Sequence, residues 1–434
     1  MEIGEAVRRH GFWGLDRIKG SPVAHHLQDI EHHFADAPLA RARTDERLQA
    51  LLRHASSTTK FYRDFQGASL AEFPVIDKRT IKERYADFLS SQYEPNSLVS
   101  VTTSGSYGTP FTFQLTREKK ARQLAEIIFF GRWAGWDVGV KYAYLRATKP
   151  AFLADLLQNR VVLNVITFDR TCMKQQVRWL IDERVKILIG SVSGAHALAQ
   201  YCREEAIPRS SLSLRGVITV GETLSEPVRA ICEDAFACPV VGRYSSEELG
   251  VIAHECLTER QYHVNHASYL VELLHPTRDQ AVGPGEVGRV VVTDLYSHAF
   301  PLIRYDIGDL AVQGNPCKCG LQGPVFASIE GRIVETIYDS LGRKLSPFVI
   351  NHAMRDIADV VQYQFVQTAE RDYVLKLVTL ASFKEEGLIL KRLQAILGDE
   401  ARVRIELVPS IPPLPSGKRP YIINQWKAGS PHDG

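Results

Sequence analysis

Five short apolar runs, set apart by segments of helix length, constrain this chain more than any other feature. They are YAYLRA (142–147), VVLNVITF (161–168), VKILIG (185–190), GVITVG (216–221) and CPVVGRY (238–244). Runs that are apolar throughout, rather than alternating, suit strands buried on both faces. The stretches Cys172–Arg184 and Ser225–Phe236 between them carry helical spacing. Strands alternating with helices predict an α/β arrangement with a largely buried sheet. Ahead of this block, residues 44–92 read as helical and mixed, and in TDERLQALLRHA Thr44 stands where a helix N-cap belongs.

From Tyr262 to Val312 the texture changes. HVNHASYLVELL and GRVVVTDL, with a Gly283-Pro284-Gly285 turn between them, read as consecutive strands of an antiparallel sheet or distorted barrel. The pattern restarts near Gly331-Arg332. YQFVQTA, YVLKLVTL and RVRIELVP then surround one helical stretch, Glu385–Leu397, which fits a small α+β domain, and the polar tail after Ile423 is expected to fray. The expected fold is therefore α/β: a large N-terminal domain (1–331) of layered sheets plus a distorted antiparallel barrel, and a small α+β C-terminal domain (332–434). A length of 434 residues accommodates this division.

Charge excludes some partners. With 52 basic against 50 acidic residues the net charge is +2, so nothing electrostatic points to nucleic acid or an anionic membrane. No run approaches the roughly 18–20 apolar residues of a membrane helix, and MEIGEAVRRHGFWGLDRIKG lacks the apolar core of a secretory signal. There are seven cysteines; Cys172, Cys202, Cys232 and Cys238 are scattered and read as buried thiols, which favours a reducing cytoplasm.

Four motifs carry chemistry. Thr102-Thr103-Ser104-Gly105-Ser106-Tyr107-Gly108-Thr109-Pro110 combines hydroxyls with glycines that let backbone N–H groups approach phosphate oxygens, although it is not a Walker loop. Tyr244-Ser245-Ser246-Glu247-Glu248-Leu249-Gly250 places an aromatic ring and two carboxylates at a strand end. In Pro301-Leu302-Ile303-Arg304-Tyr305-Asp306-Ile307-Gly308-Asp309-Leu310, an aspartate after glycine can accept both hydroxyls of a ribose. Pro415-Ser416-Gly417-Lys418 sets a lysine in a proline-rich loop. Taken singly, each reads equally as an ordinary turn.

Their order is more telling. FYRDF, FPVIDKRTIKERY, TTSGSYGTP, VGETLSEPVRAICEDAF, YSSEELG, PLIRYDIGDLA, EGRIVETI and PSGK, in this sequence, resemble the adenylate-forming, acyl-activating enzyme superfamily, in its phenylacetate–CoA ligase-like branch, over nearly the whole chain. The resemblance implies an AMP-forming acid–thiol ligase using ATP and Mg²⁺. An acyl-adenylate forms with loss of pyrophosphate, and the acyl group passes to a thiol, CoA first among candidates. The acid would be an aryl or other small hydrophobic carboxylate.

The same resemblance implies roles for residues. Thr103, Ser104, Gly105, Ser106, Gly108 and Thr109 would hold the phosphates. Gly221, Glu222 and Thr223 would line the adenine, with Tyr244 flanking it and Ser245 beside it. Asp309 would take the ribose hydroxyls; Arg304 and Arg332 would complete the ATP contacts. Glu248 would bind Mg²⁺, a hard cation suited to carboxylate oxygen. Lys418 would bridge the substrate carboxylate and the α-phosphate, offsetting the repulsion of two anions that must meet. The small domain would be mobile, swinging about a hinge at Arg332 so that Gly342-Arg343-Lys344-Leu345-Ser346-Pro347 faces the acceptor.

Three departures stand out. Thr109 replaces the lysine expected before the loop proline, Glu247 replaces a serine or threonine, and Val334 replaces the hinge aspartate. They keep open a non-catalytic nucleotide- or acyl-adenylate-binding protein, beside transfer to a carrier-protein thiol or to an amine. A homodimer is also compatible. Cys317-Lys318-Cys319-Gly320 is a CxC turn; with Cys256 and His263, as in some members of the branch, it offers three thiolates and an imidazole to a structural Zn²⁺, with His254 a rival ligand. Phe129, Phe130, Trp133 and Trp136, with Ser191–Ala195, either line an aromatic pocket or pack as a helix face.

Overall fold

Residues 3–103, 111–145, 152–163, 170–332, 337–345, 348–354, 357, 359–380, 383–412 and 421–426 are described by a computed structural model. Three helices lead the chain: α1 (Ile3–Ile18), α2 (Pro22–Ala35) and α3 (Ala37–Thr58). Helix α3 starts earlier than its apolar spacing predicts. Asp36 caps it, its Oδ1 accepting from the Leu39 amide at 3.0 Å, and a proline occupies its first turn, so Thr44 lies inside the helix. An antiparallel pair, β1 (Val99–Thr103) and β2 (Phe111–Leu115), then brackets the Ser/Thr/Gly loop, which lies outside the described residues.

The apolar runs become strands β3 (Tyr142–Leu145), β4 (Arg160–Leu163), β5 (Ile187–Gly190), β6 (Gly216–Val220) and β7 (Val240–Ser246), all parallel, in the order β4-β3-β5-β6-β7. Alternation along the strands divides their side chains between two cores. Ala143, Leu188, Val217 and Val240 pack with α5 (Arg170–Asp182), α6 (Val192–Glu204) and α7 (Glu226–Phe236). Tyr142, Ile187, Ile189, Ile218 and Val241 pack on the other face with α2 and with α4 (Arg117–Trp133). Helices on both faces account for the unbroken apolar character of the runs.

The sheet does not stop at β7. Strands β8 (Gly250–Glu255), β9 (Tyr262–Val264), β10 (Tyr269–Leu274), β11 (Val287–Asp294), β12 (Tyr305–Gln313) and β13 (Val325–Arg332) continue it antiparallel, completing eleven strands in the order β10-β11-β12-β13-β9-β8-β7-β6-β5-β3-β4. Register shifts at Arg289/Val291, Leu310/Ala311 and Val312/Gln313 bend this half. It therefore curls over its own core of Phe73, Phe113, Val290, Tyr305 and Ile329 while staying hydrogen-bonded to the parallel half.

After a two-stranded ribbon, β14 (Ile337–Tyr338) and β15 (Lys344–Leu345), comes a small sheet of β16 (Val360–Gln367), β17 (Asp372–Thr379), β18 (Arg402–Leu407) and β19 (Ile422–Asn424), ordered β18-β17-β16-β19. Helix α8 (Glu386–Leu397) buries Ile389, Leu393 and Leu397 against it, giving the small C-terminal unit its own core. Val361 reaches into the core under α7, and the Tyr421 hydroxyl donates to the Thr223 carbonyl at 3.2 Å. Among the described residues, no helix is long and apolar enough to cross a membrane.

Helix α4 turns charges inward. Lys119 and Asp294, both within 1% of full burial, pair at 2.7 Å, and Arg122 pairs with Asp29 at 2.7 Å. Burial pushes the Asp29 carboxyl up, but hydrogen bonds and charge from Arg47 and Arg122 overcome this and hold it well below the usual carboxylate range. Removing one partner of such a pair strands a charge away from water. Lys119→Met is expected to cost about 3–5 kcal/mol in urea unfolding, and Lys119→Met/Asp294→Asn, which removes the stranded charge, to recover more than half of it.

Candidate active site and metal centre

Strand β7 carries Tyr244 to the end of the parallel block, where the turn Glu247–Leu249 reverses the chain into β8. The Tyr244 hydroxyl donates to Asp309 Oδ2 at 2.7 Å, bringing the second and third motifs together across the sheet. Glu248 is 3% exposed; its Oε1 accepts from the Tyr305 hydroxyl at 3.3 Å and lies 3.6 Å from Lys78 Nζ. Lys78 opens the short helix Lys78–Glu83, which Asp77 caps through the Thr80 amide at 2.8 Å. A carboxylate beside an aromatic hydroxyl and a half-buried ammonium suits a hard cation or the oxygens of a polyphosphate.

The turn is held from behind. Gln123 Nε2 donates to the Leu249 carbonyl at 3.0 Å and the Glu247 carbonyl at 3.3 Å, and Tyr269 donates to the Leu249 carbonyl as well. The Val251 amide donates to Glu126 Oε2 at 3.0 Å. Gly250 has φ +118°, and a Cβ there would lie 2.4 Å from Glu126 Oε2 and 2.8 Å from the Tyr269 oxygen, so glycine is required on both counts. Burial raises the Glu126 pKa, against the charges of Lys119 and Arg122.

The turn Gly221–Thr223 follows β6. Gly221 takes φ +77°. Glu222 caps helix α6, accepting from the Ser193 amide at 2.6 Å and the Ser193 hydroxyl at 3.0 Å. Thr223 donates to the Ile329 carbonyl at 3.4 Å, so this turn is stitched to β13 as well as to Tyr421. Arg304, itself at φ +49°, is buried, with two nitrogens on Glu272 at 3.0 Å and a third on the Phe73 carbonyl at 3.0 Å. Its guanidinium fastens the segment before Lys78 to the antiparallel half. Ser245 is half-buried and pairs with Val251. Thr103 pairs with Phe111 at the end of β1, and Arg332 stands opposite Asp309 in the backbone register. Ser104, Gly105, Ser106, Gly108, Thr109, Val334 and Lys418 lie outside the described residues.

The sulfur and nitrogen ligands converge. Cys256, His263, Cys317 and Cys319 place their ligand atoms within 4.8 Å of one another, with Cys256 Sγ 3.6 Å from Cys317 Sγ and Cys319 Sγ 3.3 Å from His263 Nε2. Three thiols and one imidazole fit a tetrahedral zinc ion. His254 takes no part: its Nδ1 lies 2.9 Å from the Glu255 carbonyl, and its ring stacks on Phe130. The aromatics of 129–136 are core. Phe130 and Trp136 are buried, Phe34 packs on Phe129, and Trp133 stands edge-on to His263 at 5.6 Å, so this stretch backs the Cys/His cluster.

Lys78, Tyr305, Gln123, Glu126 and Tyr269 were given no role from sequence. Lys78 lies in FPVIDKRTIKERY and Tyr305 in the ribose motif, but only folding brings them to Glu248. The α4 residues left a trace: Lys119, Arg122, Gln123 and Glu126 recur at helical spacing, and such a polar stripe ordinarily marks a solvated face.

Residues 337–425 match the family model of the CapK C-terminal domain. Among curated proteins, the chain is 24% identical to Protein CapK of Staphylococcus aureus, over 83% of this chain and 81% of that protein. It is 25% identical to the phenylacetate–coenzyme A ligase of Thermus thermophilus, over 76% of this chain and 78% of the relative. Among solved structures, it superposes on a 2-hydroxyisobutyryl-CoA ligase in the postadenylation state with TM-score 0.68 at 20% identity, covering 87% of this chain and 88% of the other. ATP-bound MatB from Rhodopseudomonas palustris gives TM-score 0.53 at 15% identity, covering 76% and 68%. These structural likenesses place the fold with that of the acyl-CoA ligases.

Gln123→Ala removes the amide that holds two turn carbonyls. Backbone amides of 247–251 are expected to exchange roughly tenfold faster (about 1.4 kcal/mol) while β5 and β6 stay protected, as read by hydrogen-exchange mass spectrometry.

Proposed function

We infer that this chain, an AMP-forming acid–CoA ligase of the phenylacetate–CoA ligase-like branch of the adenylate-forming enzymes, activates a small carboxylic acid, aryl by analogy with its relatives, and hands the acyl group to CoA. The observation that carries this reading is the joining of Tyr244 to Asp309 at 2.7 Å beside the Glu248 turn, at the carboxyl ends of the parallel strands. Ligands of open α/β sheets bind at that edge.

In the first step a carboxylate oxygen of the acid attacks the α-phosphorus of ATP, and the bond to the bridging oxygen of pyrophosphate breaks. Asp309 accepts the ribose hydroxyls, and the Tyr244 hydroxyl holds its carboxylate in place. Gly221, Glu222 and Thr223 form the adenine-side turn. Ser104, Gly105, Ser106, Gly108 and Thr109 cradle the phosphates. Glu248 would hold Mg²⁺, which would supply charge neutralisation to the phosphates when bound, and Lys78 offers a cation beside it at 3.6 Å. Lys418 bridges the two reacting anions. In the second step the small unit, residues 332–434, turns about Arg332, Lys418 leaves, and the thiolate of CoA attacks the acyl carbon, expelling AMP. Lys344 then faces the acceptor. The Tyr421–Thr223 bond crosses between the two units, so such a turn must break it.

The Cys/His cluster would hold one structural Zn²⁺. The purified protein is expected to carry about one equivalent of zinc by plasma emission spectrometry and Cys319→Ser to lose it with a drop in Tm; below about 0.2 equivalents in the wild type, the site is not zinc-loaded.

The function is tested by carboxylate-dependent pyrophosphate release over aryl, aliphatic and amino acids, with and without CoA. Lys418→Ala is expected to slow it by roughly 10²–10³, or about 3–4 kcal/mol. Turnover that does not depend on CoA would redirect the second step to a carrier-protein thiol or an amine. Silence across the panel with ATP still bound would favour a nucleotide-binding sensor.

A further inference from the structure

Among the described residues, one buried arginine forms no ion pair. Of the arginines that are buried among the described residues, Arg122 pairs with Asp29, Arg229 with Glu255, Arg289 with Asp306 and Arg304 with Glu272. Arg243 is 8% exposed, and its Nε and one terminal nitrogen are shielded from water without any hydrogen-bond partner. Burial pulls its pKa down to about 10, with the Tyr144 hydroxyl opposing the fall. A guanidinium kept out of water without a counter-charge is costly, and a bound anion would relieve that cost.

Its position says which anion. Arg243 immediately precedes Tyr244 on β7, so the two side chains leave opposite faces of the sheet. Tyr244, Asp309, Tyr305 and Glu248 lie toward the antiparallel half, where the nucleotide is read to bind. Arg243 shares the other face with Val241, Ile189 and Ile218. In register it neighbours Val220, the last residue of β6 before Gly221, and His254 on β8, whose Nε2 is also buried without a partner. A ligand group here sits next to the nucleotide motifs yet off the nucleotide itself. It is also not the reacting carboxylate, which must stay free to approach the α-phosphate.

We propose that Arg243 binds a second carboxylate of the acid that this enzyme adenylates, so the substrate is a small dicarboxylic acid, aryl or aliphatic, rather than a purely hydrophobic monocarboxylic one. The proposal rests on the adenylation reading above. A planar fork of N–H donors matches a carboxylate at two points, and a partner lacking that group leaves the buried charge unpaired, which is how a site rejects the simpler acid.

Pyrophosphate release would be measured for matched pairs: benzoate with terephthalate, phenylacetate with 4-carboxyphenylacetate, butyrate with succinate. In the wild type, at least one dicarboxylate is expected to exceed its partner in kcat/KM by roughly 10²–10³. Arg243→Met is expected to erase that preference, to accept the monocarboxylate better, and to leave the ligand-free Tm equal or raised, since it removes an unpaired buried charge. Equal turnover within every pair, a rise in the KM for ATP in Arg243→Met, or a loss of ligand-free Tm would overturn the proposal; the last would make Arg243 a structural cation. If no acid gives pyrophosphate, the adenylation reading is what has failed. Calorimetric titration with terephthalate and succinate then decides: binding lost in Arg243→Met upholds the site, and no binding to the wild type overturns it.

Discussion

Helix α4 presents its polar stripe to the interior, and the rest of the candidate site is built on what that stripe holds. Lys119 reaches Asp294 on β11, Arg122 reaches Asp29 on α2 and the Ala267 carbonyl, Gln123 and Glu126 grip the chain on either side of Gly250. One helix thus fixes the N-terminal helices, the antiparallel half of the sheet and the turn bearing Glu248. Charges this deep are costly without a partner of good geometry, and the Lys119–Asp294 and Arg122–Asp29 pairs, both at 2.7 Å, meet that condition. The consequence for chemistry is a turn whose backbone is positioned by buried side chains rather than by solvent-exposed contacts.

The polar residues around the site fall into two kinds. Arg304, Glu222 and Glu126 spend their hydrogen bonds on the protein itself: a clasp, a helix cap and a turn anchor. Tyr244 with Asp309 at 2.7 Å, and Glu248 with Lys78 at 3.6 Å, instead pair functional groups with one another where the parallel strands end. Arg243 belongs to neither kind, its Nε and one terminal nitrogen being buried without a hydrogen-bond partner among the described residues. A buried guanidinium left unpaired near the strand ends has interactions still to make, which is why the substrate reading turns on this residue.

The Cys/His cluster shows how a sheet assembles side chains from distant parts of the chain. Cys256 and His263 flank the β8–β9 hairpin, while Cys317 and Cys319 come from the loop between β12 and β13, and β13 pairs with β9 at Val325↔His263. Without that strand pairing the CxC turn would be a surface feature. The aromatic stretch 129–136 packs beneath, so residues that read equally well as a substrate pocket serve as the floor of the cluster.

Taken alone, the sequence determined the alternating α/β block with its buried sheet, the change to antiparallel strands and the small C-terminal α+β unit. These rest on apolar periodicity, turn chemistry and a characteristic order of short segments, all of them local in the chain. It misplaced the start of α3, where the Asp36 cap and its proline outrank the apolar spacing around Thr44. Only the tertiary structure decided that His263 rather than His254 joins the three cysteines, that the polar stripe of α4 faces inward, that Arg304 is a clasp, and that two nitrogens of Arg243 have no partner among the described residues. Each of these depends on which distant strand or helix lies opposite, and a side chain's charge or periodicity does not encode its neighbour. Burial and pairing are properties of the packed interior, so they appear only once the sheet has closed around them.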